Sequence, residues 1–204
     1  MSFKKVKGGV CAPQGFRGGA VSCGIKEVGN PRDDLALIYS DHPCVSAGTF
    51  TTNRVKAAPV KVTQAHLRAM DLRAVIANSG NANACTGVPG ITDARQMAKT
   101  VASSLGIRQR EVGVCSTGVI GLPLPMQRME EGLHTLPTQL TRDGGRQVAE
   151  AIMTSDTQPK EIAVEFQLGG QTVRLGGIAK GAGMIQPGMS PTGVRPASMP
   201  LHAT

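Results

Sequence analysis

The sequence is poor in aromatic side chains. It has no tryptophan, one tyrosine and four phenylalanines in 204 residues. Proteins that bind single-stranded nucleic acid stack bases on aromatic rings, so this scarcity argues against that function. The net charge of +8 comes from lysines and arginines that are spread along the chain. Such a charge is typical of a solvated surface, and it also suits an anionic small molecule such as a carboxylate. We therefore expect no nucleic acid partner.

Three further features are missing from the sequence. It contains no run of about 18 apolar residues, so we expect no membrane span. The five cysteines are odd in number and include no C-x-x-C pair, which argues against a disulfide framework and a zinc site. The histidines lie in no metal-ligand spacing, and no G-x-S-x-G elbow occurs. The sequence predicts a protein of the reducing cytoplasm with no metal.

The chain alternates short apolar runs with turn clusters. Strands are predicted at 35–39, 74–77 and 112–115, and a hairpin is predicted at 162–175. Helices are predicted at 93–105, 125–136 and 145–153. Thr92 is the expected cap of the first helix and Gly106 its expected stop. This mixture indicates a single layered α/β (or α+β) domain.

Four segments rich in small polar residues are candidates to carry chemistry. They are 78–87 (NSGNANACTG), 115–121 (CSTGVIG), 153–160 (MTSDTQPK) and 176–184 (GGIAKGAGM). The first either presents amides to a ligand or satisfies its own backbone. The second could direct backbone N–H groups at an oxyanion or a phosphate. The third is a capping turn or a substrate pocket, and the fourth carries Lys180 for a carboxylate or is a plain surface turn.

The sequence ends at Ala203-Thr204. A threonine that follows a small residue can attack the preceding carbonyl, move the acyl group from nitrogen to oxygen, and be released by hydrolysis. The new terminal threonine then holds a nucleophile and an amine base in one residue. We therefore expect the first part of a self-cleaving precursor. The proline-rich segment 186–203 is expected to be an exposed or extended loop that leads to the cleavage site.

Taken in order, 78–87, 115–121, 151–160 and 179–185 resemble the ornithine acetyltransferase (glutamate N-acetyltransferase) family of arginine biosynthesis. The resemblance implies the layered α/β fold of that family and self-processing like that of the N-terminal nucleophile hydrolases. It implies a ping-pong reaction that moves acetyl from N-acetylornithine to glutamate and leaves ornithine. It implies no cofactor, and acetyl-CoA is a possible second acetyl donor.

Position by position, the resemblance implies roles for individual residues. Thr204 falls on the catalytic nucleophile, and the bond between Ala203 and Thr204 falls on the cleavage site. Thr117 and Gly118 fall on the pair that stabilises the oxyanion. Substrate-binding positions are matched by Thr154, Lys180 and Thr204 itself.

The resemblance also implies how the protein is assembled. Residues 1–203 would form the α chain, and Thr204 would begin a β chain from the same precursor, in an α2β2 heterotetramer. The proline-rich segment is longer than its counterpart in the family, so Thr192 is an alternative nucleophile, although the small Ala203 favours Thr204. Two other functions stay open. One is a related self-cleaving amidase, aminopeptidase or acyltransferase with another acceptor, and the other is a non-catalytic binding subunit.

Overall fold

The computed structural model describes residues 2–26 and 32–181, together with the backbone of 189–190. The predictions for Thr192, Ala203 and Thr204 lie outside these residues, as does most of the proline-rich segment. Within that segment, Met189–Ser190 forms a two-residue strand that pairs with Phe50–Thr51. This short edge pairing is compatible with the extended conformation expected there.

The described residues form nine strands, four α-helices and three short 3₁₀ turns. The strands are β1 (Phe3–Val6), β2 (Phe16–Val21), β3 (Leu35–Ser40), β4 (Phe50–Thr51), β5 (Ala74–Asn81), β6 (Val112–Val119), β7 (Lys160–Leu168), β8 (Gln171–Ala179) and β9 (Met189–Ser190). The helices are α1 (Ala58–Ala69), α2 (Gly87–Leu105), α3 (Met126–Thr135) and α4 (Gly145–Ala151). The 3₁₀ turns are Gly9–Cys11, Gln109–Glu111 and Leu136–Gln139.

The strands build three sheets, with orders β2-β3-β5-β6, β1-β7-β8 and β4-β9. Strands β5 and β6 run parallel, whereas the other pairs in the four-stranded sheet are antiparallel. A parallel pair needs a crossover connection, and α2 supplies it. The two strands therefore end at the same edge of the sheet.

The four-stranded sheet has helices on both faces. Helices α1, α2 and α3 pack on one face around the larger core, which includes Leu37, Ile76 and Val101. Helix α4 and β8 contribute to a smaller core on the other face, around Ala36 and Val148. This arrangement confirms the predicted layered α/β fold class.

The predicted strands and helices are present, but several of their ends differ. Strands β5 and β6 continue four residues beyond their predicted ends, into the polar segments 78–87 and 115–121, because parallel pairing extends to Gly80 and Gly118. Helix α2 begins at Gly87, with a proline in its first turn, where a missing N–H costs nothing. Thr92 is therefore not its cap, since it lies within the helix and its hydroxyl bonds the carbonyl of Val88. Gly106 does end the helix, with a φ of 65°.

The described residues show no membrane-spanning helix, no metal-binding cluster and no disulfide bond. No helix in them combines the length and the apolar character needed to cross a bilayer. No group of three or more His, Cys, Asp or Glu side chains in them is arranged to hold a metal ion. All five cysteines carry free thiols.

Helix α1, which the sequence did not predict, covers the free edge of the sheet at β6. The hydroxyl of Thr63 accepts a hydrogen bond from the N–H of Val114 and donates one to its carbonyl, both at 2.8 Å. The ring of the buried His66 lies 2.8 Å from the carbonyl of Val112. These side chains take the place of a further strand, so the edge that leads to Thr117 has no free pairing groups here.

Replacing Thr63 tests this edge contact. Thr63→Val keeps the side-chain shape but leaves both backbone groups of Val114 without their partner. We expect the free energy of unfolding, measured by urea denaturation, to fall by about 1–3 kcal/mol. Thr92→Val is the matched control, because Thr92 is exposed and bonds only its own helix, and it should change stability by less than about 0.5 kcal/mol. Equal losses in the two variants would contradict this role of Thr63.

Candidate active site

Two of the four polar segments meet where β5 and β6 end. Their parallel register sets Ser79 beside Thr117 and Gly80 beside Gly118. The two glycines have positive φ angles of 104° and 136°. A side-chain carbon on Gly118 would lie 2.5 Å from the backbone nitrogen of Asn81, so no larger residue fits without a shift of the backbone. This close approach presents Thr117 and the backbone of Gly118 at the edge of the sheet.

Lys180 joins this edge to the third polar segment. It follows directly on β8, and its ammonium donates to the hydroxyl of Thr117 at 2.9 Å and to that of Thr154 at 2.6 Å. The structure thus brings together four of the predicted site residues, Thr117, Gly118, Thr154 and Lys180. They come from the end of one strand, the loop after α4 and the residue after another strand.

The direction of these hydrogen bonds determines what the hydroxyls can do. An ammonium group has three hydrogens and no acceptor, so both threonine hydroxyls must accept from Lys180. Each hydroxyl then keeps its own hydrogen for another acceptor. Because each hydroxyl accepts from a cation, it is polarised, and this strengthens the hydrogen bond that it donates. The arrangement is therefore suited to an oxygen that develops negative charge.

Asp156 connects the loop of Thr154 to the backbone beyond Lys180. Its side chain is fully buried and accepts hydrogen bonds from the ammonium of Lys160 at 2.6 Å and the N–H of Gly181 at 2.7 Å. It also accepts one from the N–H of Thr154 at 3.2 Å. The hydrogen bond from Lys160 holds the pKa of the Asp156 carboxyl well below its usual range, against the opposing effect of burial. The group is therefore a carboxylate at neutral pH.

Asp156 lies in the third polar segment but is not among the residues that the sequence predicts for the site. In an Asx turn an aspartate accepts the N–H two residues after it, whereas Asp156 accepts that of Thr154, two residues before it, so its only local signal is the spacing from Lys160. Lys160 follows four residues later and is within reach across the turn. The bond to Gly181, which links the turn to Lys180, carries no such local signal.

An open cavity of about 410 Å³ adjoins Thr117 and Lys180. Its walls come from β3, β5, β6, α4 and β8 and are mainly apolar. Among the lining side chains are Ile38, Val75, Cys115, Ile152 and Ile178. A small molecule bound there would have hydroxyl and ammonium groups at one end and hydrocarbon at the other. Such a setting limits competition from water and strengthens the polar contacts.

The asparagines of 78–87 mainly bond the loop itself and its neighbours. Asn78 donates to the carbonyl of Asn81, and Asn81 donates to that of Pro123 and accepts from the N–H of Asn83. The side chain of Asn83 donates to the carbonyl of Gly90 in α2. The structure therefore shows a turn network in which these side chains mostly bond the segment and its neighbours, although the buried Oδ1 of Asn78 has no hydrogen-bond partner among the described residues. This network fixes the loop that flanks Thr117.

Gly118 can be tested against a second glycine with positive φ. A side-chain carbon at Gly121 (φ 86°) would meet no described residue within 4 Å, unlike one at Gly118. Gly118→Ala should therefore lower the free energy of unfolding by about 1–3 kcal/mol more than Gly121→Ala, because overpacking adds to the backbone strain that both share. Urea denaturation of both variants measures the difference. An equal loss would show that the contact with β5 is not crowded.

Sequence comparison finds close relatives along nearly the whole chain. The model of the ArgJ family matches residues 17–199. The arginine biosynthesis bifunctional protein ArgJ of Symbiobacterium thermophilum is 51% identical over 183 residues, which are 90% of this chain and 46% of that protein. Its counterpart in Geobacter sulfurreducens is 50% identical over 177 residues, 87% of this chain and 44% of that protein. The chain thus spans less than half the length of these curated relatives.

Solved structures show the same fold. The crystal structure of the arginine biosynthesis bifunctional protein argJ from Bacillus halodurans has a TM-score of 0.86 and 40% identity, and the match covers 93% of this chain and 98% of that one. Ornithine acetyltransferase from Mycobacterium tuberculosis, crystallised with ornithine, has a TM-score of 0.85 and 42% identity, over 93% of this chain and all of that one. The predicted ornithine acetyltransferase type of fold is confirmed. The chain belongs to the ArgJ family.

Proposed function

We propose that this chain is the amino-terminal part of an acetyltransferase of arginine biosynthesis that moves acetyl from N-acetylornithine to glutamate. The observation that carries the proposal is the ammonium of Lys180 between the hydroxyls of Thr117 and Thr154. Membership of the ArgJ family supports it, as does the resemblance to a solved ornithine acetyltransferase. The activity belongs to the full-length protein, because this chain spans less than half of its curated relatives.

The proposed reaction has two half-reactions with Thr204 as the nucleophile. Its hydroxyl oxygen attacks the acetyl carbon of N-acetylornithine, and its α-amine takes the hydroxyl proton. The tetrahedral oxyanion accepts hydrogen bonds from the Thr117 hydroxyl and the Gly118 N–H. The carbon–nitrogen bond then breaks, and the proton leaves with the amine of ornithine. In the second half, the amine of glutamate attacks the acetyl-threonine ester and restores the hydroxyl.

Lys180 has the chemistry to bind the α-carboxylate that both substrates share. Two of its three hydrogens point to Thr117 and Thr154, which leaves one for a carboxylate oxygen. The hydroxyl hydrogen of Thr154 is available for the other oxygen. One carboxylate site can therefore serve N-acetylornithine and glutamate in turn, as a ping-pong reaction requires.

Self-cleavage would use the same machinery. The Thr204 hydroxyl would attack the carbonyl of Ala203, and the oxyanion formed there resembles the one formed in acetyl transfer. Thr117 and Gly118 could thus stabilise both. In the proposal the two chains remain together as a cytoplasmic α2β2 heterotetramer without a cofactor, and acetyl-CoA is a possible additional donor.

The cleavage step is tested by the intact mass of the full-length protein. We expect the wild-type protein to give two chains, with the second beginning at Thr204. Thr204→Ala should remain a single uncleaved species, because it lacks the attacking hydroxyl, whereas Thr192→Ala should cleave normally. If Thr204→Ala cleaves normally and Thr192→Ala does not cleave, the nucleophile is Thr192. An uncleaved wild-type protein that transfers no acetyl would favour the non-catalytic binding subunit.

The transfer step is tested by exchange of acetyl between N-acetylornithine and labelled glutamate. Thr117→Val should lower kcat by roughly 10²–10³, the usual effect of losing one oxyanion donor. Lys180→Met should lower kcat/KM roughly 10- to 100-fold, because a hydrogen bond to a charged group contributes about 1.5–3 kcal/mol.

The exposed α2 residues Thr92 and Lys99 provide the matched controls for this experiment. Thr92→Val and Lys99→Met remove the same chemical groups from exposed positions that do not line the cavity, so both rates should stay within about twofold of wild type. Absence of exchange together with hydrolysis of a dipeptide would instead favour an amidase or aminopeptidase.

A further inference from the structure

We propose that Asp156 is a positioning residue of this site, which holds Thr154 and Lys180 in contact with each other. The inference rests on the proposed function, because its kinetic consequence is a loss of acetyl transfer. Asp156 itself does not reach the cavity beside Thr117. It acts through the backbone of the two residues that bracket the carboxylate site.

The two oxygens of Asp156 bond two separate stretches of chain. Oδ2 accepts the N–H of Thr154 at 3.2 Å, and Oδ1 accepts the N–H of Gly181 at 2.7 Å. Gly181 directly follows Lys180. One carboxylate therefore anchors the backbone at both ends of the 2.6 Å contact between Lys180 and the Thr154 hydroxyl.

Burial and charge make this anchor rigid. The Asp156 side chain has no exposed surface, whereas that of Lys160 is 41% exposed. The ammonium of Lys160 thus offsets the charge of the carboxylate while it remains partly hydrated. A buried carboxylate that lost its partners would be strongly destabilised, so its position is tightly specified.

Only an ionised carboxylate satisfies all three donors. An asparagine in the same place has one oxygen and one NH₂ group. With its oxygen at Oδ1, the NH₂ group faces the N–H of Thr154. With its oxygen at Oδ2, the NH₂ group faces the N–H of Gly181 and the ammonium of Lys160. Either orientation sets a donor against a donor, so the loop or the segment at Lys180 must move.

The kinetic test uses Asp156→Asn in the full-length protein. Displacement of a substrate-positioning group by about 1 Å can cost a factor of roughly 10² in rate, so we expect kcat/KM for acetyl transfer to fall about 10- to 100-fold. Glu111→Gln is the matched control. The carboxylate of Glu111 also accepts hydrogen bonds from a backbone N–H and from a cationic side chain, both of Arg108. Glu111 lies just before β6 begins, at the other end of that strand from Thr117. Its kcat/KM should stay within about twofold of wild type.

Three further measurements separate positioning from a general effect on folding. If Asp156 acts through Lys180, adding Asp156→Asn to Lys180→Met should lower kcat/KM by no more than about twofold further. A crystal structure of Asp156→Asn should show the Lys180 ammonium beyond hydrogen-bond distance of the Thr154 hydroxyl. Urea denaturation should still show one cooperative transition.

The contrary outcomes are distinct. If the wild-type protein transfers acetyl and the kcat/KM of Asp156→Asn is within twofold of its value, the positioning role is overturned. Effects that multiply in the double variant would also overturn it, as would loss of the folding transition, which would assign Asp156 to the fold alone. A wild-type protein that transfers no acetyl would refute the proposed function instead. In that case the crystal structure still decides, because an unchanged contact between Lys180 and Thr154 would overturn the role of Asp156.

Discussion

Parallel pairing of β5 with β6 is the constraint from which the site follows. The ladder runs to Gly80 and Gly118, and neither position has space for a side chain. A side-chain carbon on Gly118 would meet the backbone of β5, and one on Gly80 would meet the backbone of Ile25 and Lys26. This pairing brings Thr117 to the edge of the sheet next to the loop after β5. The same strand is held from outside by Thr63 of α1. The position of the Thr117 hydroxyl is thus determined by contacts on both sides of its strand.

At this edge of the sheet, each polar side chain that can only donate a hydrogen bond is paired with one that can accept it. Lys160 and Lys180 can only donate, and Asp156 can only accept. The hydroxyls of Thr117 and Thr154 accept from Lys180 and keep their hydrogens for a ligand. The protein's own hydrogen bonds therefore hold these groups in place, which suits electrostatic stabilisation of a transition state. The apolar wall of the cavity limits the competition of water for these hydrogen bonds.

Helix α1 and strand β2 could not be predicted from the sequence, because their residue types serve contacts with distant segments. Helix α1 buries only small or polar side chains on its inner face, namely Ala58, Pro59, Val62 and His66, and it uses Thr63 and His66 to bond the edge of β6. Strand β2 contains Gly18 and Gly19, which are typical of turns. A side-chain carbon at Gly18 would lie 2.9 Å from Val148 of α4, and one at Gly19 3.2 Å from the carbonyl of Gln139, so glycine is needed for close packing. Neither requirement is visible in a local pattern.

The sequence by itself determined the α/β class, the main strands and helices, and the four polar segments whose order resembles one family. From that resemblance came Thr117, Gly118, Thr154 and Lys180 as site residues. Only the tertiary structure decided that Lys180 contacts Thr117 and Thr154, that the asparagines at the end of β5 and in the following loop bond their own segment and its neighbours, and that Asp156 links Thr154 to the chain beyond Lys180. The reason is physical: periodicity and turn chemistry act over a few residues, whereas a hydrogen bond between distant segments depends on strand register and packing.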